Sequence, residues 1–189
     1  MAAPRLLALV LTGFLAITGC GPQVDIHYVP TPEPVVDAML EMAEIEPGDV
    51  LYDLGSGDGR IPITAAQRYG IRAVGIEIDP ALLRRARSNA EAAGVAHLVE
   101  FREADLFDTD FSDADVVALY LGDMLNLRLR PVLLDQLDPG SRVVSHDFNM
   151  GDWVPDERRL VANRDVYKWT VPELFVPGFA SQPPADPSD

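Results

Sequence analysis

The chain predicts an α/β fold, doubly wound, with a mostly parallel sheet covered by helices on both faces. Three observations predict it. Apolar strand-like runs alternate with helical stretches over residues 30–148, a glycine-rich turn follows the first of those runs, and the composition suits a single core. Of 189 residues, 48% are hydrophobic and 24% charged, the make-up of one domain that can bury a sizeable interior.

Each element has its own signal. "PTPEPVVDAMLEMAEI" opens on Thr31-Pro32, a favourable helix start, and sets Val35, Val36, Met39, Leu40 and Ala43 at helical spacing. "GDVLYDL" is a short apolar run, read as a buried strand. "GRIPITAAQRYG" is a helix stopped by Gly70, and "IRAVGIEI" a second buried strand. "DPALLRRARSNAEAAG" is a helix capped by Asp79, with Pro80 at its first position and Gly94 at its end. "HLVEFREAD" and "DADVVALYL" give a third and a fourth strand, "DMLNLRLRPVLLDQL" a helix, and "SRVVSHDF" a fifth strand. Beyond Asp152 the pattern loosens, although "RDVYKWTV" alternates like a strand and is expected to close the sheet at one edge.

The predicted domain runs from residue 21 to 177, between a leader over 1–20 and a disordered tail over 178–189. Leu6 to Ile17 form a twelve-residue apolar stretch after Arg5, the order of a secretory signal and too short for a comfortable membrane span. "LAITGC" then resembles the lipobox of bacterial lipoproteins, in which the cysteine is lipidated. Cys20 is the only cysteine, so no disulfide forms within the chain. The expected location is a membrane-anchored lipoprotein on the exported side. An ordinary cleaved signal and an uncleaved anchor are the alternatives, and a misassigned start would leave the protein cytoplasmic. The formal net charge of −15 repels nucleic-acid backbones and anionic lipid surfaces, which disfavours a DNA- or RNA-binding role. His27 and His97 stand alone and suggest no metal site.

"LYDLGSGDGR", residues 51–60, lies where open α/β sheets bind ligands, at the first strand-to-helix turn. Gly55, Gly57 and Gly59 permit a tight turn and are expected to bring N–H groups against a ligand. The spacing is GxGxG, with Arg60 where a dinucleotide loop needs a small residue. Asp53, two residues before the first glycine, would face phosphate with a like charge and suits a cationic ligand group better. S-adenosylmethionine offers an α-amino group and a sulfonium and has no phosphate. Glu77, 22 residues after Gly55, is placed for ribose hydroxyls, and Asp105 in "READLF" for the adenine amino group. Taken singly, Asp53 could equally be a turn former or a cap and Glu77 a solvated strand end, while Asp105 alone reads better as a loop acid. Their joint spacing carries the reading.

At these residues "VLYDLGSGDGRI", "AVGIEIDP" and "READLFD" resemble the successive cofactor motifs of class I S-adenosylmethionine-dependent methyltransferases, which have a Rossmann-like fold. "YVPTP" and "VVSHDFNMGDW" resemble one bacterial group among them, and a more distant likeness runs to mitochondrial protein-lysine methyltransferases. By that resemblance Gly55 and Gly57 line the methionine portion of the cofactor, Asp53 its amino group, Glu77 the ribose, and Asp105 with Leu106 the adenine. Ser56 and Ile78, next to these, complete the predicted cofactor set. Tyr28 and Thr31 close over the cofactor; core packing and helix capping are their alternatives.

Methyl transfer from a sulfonium is an in-line displacement, so the protein mainly positions a nucleophile and removes its proton. The acceptor is expected beyond the fourth and fifth strands, which nominates Tyr120, His146 and Asp147. His146 is either a general base or a structural histidine, and Tyr120 a base or a pocket wall. The Asn/Asp-Pro-Pro-aromatic signature of many amino-group methyltransferases is absent after the fourth strand, which leaves the acceptor open between a protein side chain and a small molecule. Two functions from different classes follow: a working methyltransferase, or an exported nucleoside-binding lipoprotein without turnover. A nicotinamide oxidoreductase is a distant third.

Overall fold

The computed structural model describes residues 28–173; Cys20, the leader and the tail over 178–189 lie outside the described residues. In chain order the elements are α1 (Glu33–Met42), β1 (Val50–Leu54), α2 (Arg60–Tyr69), β2 (Arg72–Glu77), α3 (Pro80–Ala92), β3 (Val99–Glu103), β4 (Val116–Leu119), α4 (Asp123–Gln136), β5 (Arg142–His146), β6 (Glu157–Val161) and β7 (Arg164–Thr170). One seven-stranded sheet runs β3-β2-β1-β4-β5-β7-β6. The first five strands of that order are parallel, and β7 is antiparallel to both β5 and β6. This is the predicted doubly wound, mostly parallel sheet.

β1, β4 and β5 read as near-continuous apolar runs because they are covered on both faces, and all their residues are buried except Val50 and Arg142, which are half-buried. One core, with α1, α2 and α3, gathers Val35, Met39, Leu51, Ile61, Leu83 and Phe101. The other, under α4, gathers Leu54, Leu119, Leu129, Leu133, Phe111 and Trp169. The chain winds from β1 outward to β3 and returns on the other side of β1 to β4. The strand order therefore reverses between β1 and β4, and the crevice beyond their carboxyl ends is where such sheets bind ligands.

Three details differ from the sequence expectation. The N-cap of α1 is Pro32, without a side-chain cap, because the Thr31 hydroxyl is turned to His146 instead. β7 does not close the sheet: it lies between β5 and β6, and β6 is the edge. "ERRLV" escapes the pattern because only alternate residues are even half-buried, leaving Arg158 and Leu160 exposed. Its hairpin turn places Ala162 and Asn163 at φ 52° and 61°, the geometry of a two-residue turn usually marked by Asn-Gly, and no such signal stands here. The predicted caps at α2 and α3 hold. Gly70 ends α2 in the left-handed region, and the Asp79 carboxylate accepts from the Ala81 N–H at 2.7 Å.

Candidate active site

The glycine loop after β1 is more self-contained than its sequence suggests. The N–H groups of Gly55 and Ser56 both donate to the Ile76 carbonyl, at 2.8 and 2.9 Å, and that of Gly59 donates to Ser56 O. The Gly57 N–H donates to Glu77 Oε2 at 2.9 Å. The expectation that these N–H groups face a ligand is therefore corrected: the loop spends them on itself and on β2. The bare Cα atoms serve close packing instead. A Cβ on Gly57 would overlap the Tyr28 ring, and one on Gly55 would meet Leu121 at 2.7 Å. Gly75, unremarked in the sequence, has the same role inside β2, where a Cβ would meet both Phe101 and Ser56 Oγ at 2.6 Å; a glycine inside a strand run was the signal. With the N–H groups of Gly55, Ser56, Gly57 and Gly59 engaged, these four offer no nest for a pyrophosphate.

Around this loop stand three acids in different circumstances. Asp58, 5% exposed, is gripped by Arg60 through Nε at 2.9 Å and Nη2 at 2.8 Å. Burial would raise its pKa, but the guanidinium hydrogen bonds outweigh this and leave it below the ordinary carboxylate value. Glu77, at the end of β2, accepts from Gly57 N through one oxygen and from Ile78 N and Asp79 N through the other, so it is preorganised and keeps lone pairs for further donors. Asp53 is 3% exposed and belongs to no ion pair among the described residues. Burial first, then Glu77 and Asp58, push its pKa up to about 8.

Beyond the end of β3, Asp105 is exposed and its Oδ1 accepts from the Phe107 N–H at 2.9 Å. Leu106 packs half-buried against the core under α4, and Ile78 is 67% exposed at the end of β2. The register Glu77↔Glu103, with Ala104 N donating to Glu77 O, sets the start of this turn beside Glu77.

The segment before α1 is latched over the loop by contacts that the sequence motifs did not reveal. Arg60 Nη1 donates to the Thr31 carbonyl at 2.8 Å while its other nitrogens hold Asp58, and the Tyr28 ring lies on Gly57. Arg60 thus joins "YVPTP" to "GSGDGR". The Thr31 hydroxyl contacts His146 Nδ1 at 3.2 Å. His146 is 1% exposed and stacks on Tyr120 with ring centres 3.8 Å apart, and Phe148 stacks on Tyr120 at 5.8 Å. His146 Nε2 has no hydrogen-bond partner; the Asp147 carboxylate stands 3.5 Å away, itself tied to Arg164. Burial lowers the His146 pKa, Asp147 opposes that and Arg164 adds to it, so the imidazole is neutral at pH 7. Asn126, fully buried on α4, was also missed. Its amide donates to Ser145 Oγ and to Phe148 O, both at 3.1 Å, and holds the turn after β5.

The crevice between β1 and β4 thus combines a buried acid without a counter-charge, a preorganised carboxylate 24 residues further along the chain, and a loop whose glycine N–H groups are already engaged. Those acceptors fit the ammonium and hydroxyl groups of S-adenosylmethionine, and the protein is an S-adenosylmethionine-dependent methyltransferase of class I fold. The chain belongs to the ANTKMT methyltransferase domain family, which matches residues 53–157. It is 42% identical over 153 residues to a protein-lysine N-methyltransferase of Saccharolobus islandicus, covering 78% of this chain and 95% of that protein. An adenine nucleotide translocase lysine N-methyltransferase of Mus musculus is 34% identical over 134 residues, which make up 70% of this chain and 58% of that one. A solved structure of an RNA methyltransferase from Salinibacter ruber in complex with S-adenosyl-L-homocysteine is 58% identical, with a TM-score of 0.78 over 82% of this chain and 100% of that chain.

Proposed function

We propose that this methyltransferase places the methyl group on the side-chain amine of a lysine in a protein. The observation that carries the reading is the match to a protein-lysine methyltransferase over 95% of that enzyme's length. Thirty acids against fifteen bases fit a cationic acceptor and repel an RNA backbone. The Salinibacter ruber relative supplies the second reading, RNA methylation. Labelled S-adenosylmethionine, offered with a lysine-rich protein pool and with total RNA, tests the two. Label on protein lysine is the expected outcome, and label in RNA alone overturns it.

In this reading Asp53 pairs with the cofactor's ammonium group, Glu77 takes the ribose hydroxyls, and Asp105 with Leu106 and Ile78 borders the adenine. Gly55, Ser56 and Gly57 flank the methionine portion, and Tyr28 and Thr31 close the mouth. The cofactor supplies a methyl group activated by its sulfonium. Tyr120 and His146 serve the acceptor. A lysine attacks only as the neutral amine, and its ordinary pKa of about 10.4 demands help in losing a proton. Because Tyr120 covers His146, the phenol is the member of the pair that meets the acceptor, while the neutral imidazole, pinned by Thr31, sets its position.

Attachment to a membrane through a lipidated Cys20 is part of the proposal, supported by "LAITGC" behind an apolar stretch. Mass spectrometry of the membrane fraction tests it. A diacylated Cys20 at a new N-terminus is expected, whereas an unmodified chain in the cytoplasm, or a lipoprotein that binds the nucleoside without turnover, would replace it.

A further inference from the structure

Of the three acids at the glycine loop, only Asp53 has nothing to balance its charge. Asp58 has the Arg60 guanidinium, and Glu77 has three backbone N–H groups. Asp53 is 3% exposed, and its strand partners are Gly75 on β2 and Ala118 on β4, neither of them charged. The charged groups that act on it are Glu77 and Asp58, both acids, while Arg60 and Tyr28 are turned to Asp58. An ionised carboxylate in such a place has lost its water and gained two like charges. Protonation relieves both penalties, in keeping with a pKa near 8.

We propose that Asp53 carries a proton in the cofactor-free enzyme and releases it to solvent when the cofactor's ammonium group arrives, so that capture of the cofactor is coupled to the loss of one proton. The proposal rests on the reading of Asp53 as the ammonium partner. In the step the Asp53 O–H bond breaks, the proton passes to water or buffer, and the carboxylate left behind pairs with the ammonium, whose own N–H bonds are unchanged. A neutral acid and a cation become an ion pair and a free proton.

Two consequences follow. Substrate and product cofactor carry the same ammonium, so exchange of one for the other costs no proton, and the coupling acts only on entry to the free enzyme. A nucleoside without the amino-acid portion gains nothing from the exchange, so 5′-methylthioadenosine binds without releasing a proton.

Calorimetry on the full-length chain at pH 6.5, in two buffers of different ionisation enthalpy, tests this. The ligand's α-amino group, with a pKa of about 8, is charged at that pH, so any proton comes from the protein. S-adenosylhomocysteine is expected to release close to one proton, and 5′-methylthioadenosine none. Affinity for S-adenosylhomocysteine rises about tenfold from pH 6 to pH 7 and levels off toward pH 8, as linkage to one proton requires. Asp53→Asn abolishes both the release and the pH dependence. Binding of S-adenosylhomocysteine with no proton released overturns the coupling while the methyltransferase reading stands, and so does equal release by Asp53→Asn. Failure of both ligands to bind brings down the cofactor reading and the coupling together. Should Asp53→Asn not fold, the contrast between the two ligands on the unaltered chain still decides the matter.

Discussion

The two halves of the sheet are assembled on different sequence scales. In the cofactor half, β1 to β3, the bond that fixes the glycine loop joins Gly57 to Glu77, 20 residues apart. In the half that the proposal gives to the acceptor, β4 to β7, local ties such as Asn126 to Ser145 over 19 residues stand beside much longer ones: Thr31 to His146 over 115, Arg142 to the Ala43 carbonyl over 99, and Lys168 to Glu44 over 124. A cofactor common to many enzymes can be held by a compact, reusable strand-turn-strand unit. Strands β4 to β7 are held by packing and by the chain on either side of α1, and Thr31 ties the two halves together, its carbonyl to Arg60 and its hydroxyl to His146.

If the halves are separable, the largest effect comes from their hydrophobic cores and leaves binding alone. Trp169 is fully buried in the acceptor half against Tyr167 and Trp153, and its Nε1 donates to Trp153 O at 2.7 Å. Trp169→Ala is expected to cost about 3–5 kcal/mol of stability in urea denaturation, with the affinity for S-adenosylhomocysteine unchanged wherever the variant is folded. A parallel loss of affinity would show that the halves are coupled.

Glu77 tests the other half. Glu77→Ala removes the acceptor of three backbone N–H groups and, in the proposed function, the ribose partner with it. Affinity for S-adenosylhomocysteine should fall by about 1–3 kcal/mol, roughly 5- to 150-fold. Unchanged affinity in calorimetry would take Glu77 out of the site. On the acceptor side Asn126→Ala should cost about 1 kcal/mol of stability, since it frees the turn at Phe148. Turnover is expected to drop while cofactor affinity holds, and equal losses in both would break the distinction.

The same difference in scale explains what could be read in the chain. The sheet, the glycine loop and the Glu77 spacing were legible because strand runs, glycines and acids recur at short, fixed intervals. Where reading failed, the partner was distant or the pattern faint. Nothing near Thr31 says that its hydroxyl belongs to His146 rather than to its own helix. Nothing near Arg60 says that it fastens Thr31 as well as its neighbour Asp58. β6 carries only half-buried alternation and a turn without glycine, so its pairing with β7 supplies the order that its own residues do not.

The smallest expected effect sets the two halves against each other through pH. Each buries one ionisable group that prefers to be uncharged. The folded protein keeps the proton on Asp53 from its ordinary value of 3.8 up to about 8, where the unfolded chain has already lost it, so this group's stabilisation fades as pH rises through that window. His146 works in the opposite sense. Burial depresses its pKa below 6.5, the unfolded chain binds the proton first, and its stabilisation is intact above 6.5 and fades as pH falls below it. Thermal melts should therefore fall from pH 6.5 to 8, where Asp53 alone titrates, and hold nearer level from pH 5 to 6.5, where the two slopes oppose. Asp53→Asn should remove the alkaline fall and lay bare the acid-side loss of His146, and His146→Asn should let the fall due to Asp53 extend down to pH 5. An Asp53→Asn variant that kept the alkaline fall would mean that the buried charge had been assigned to the wrong half of the sheet.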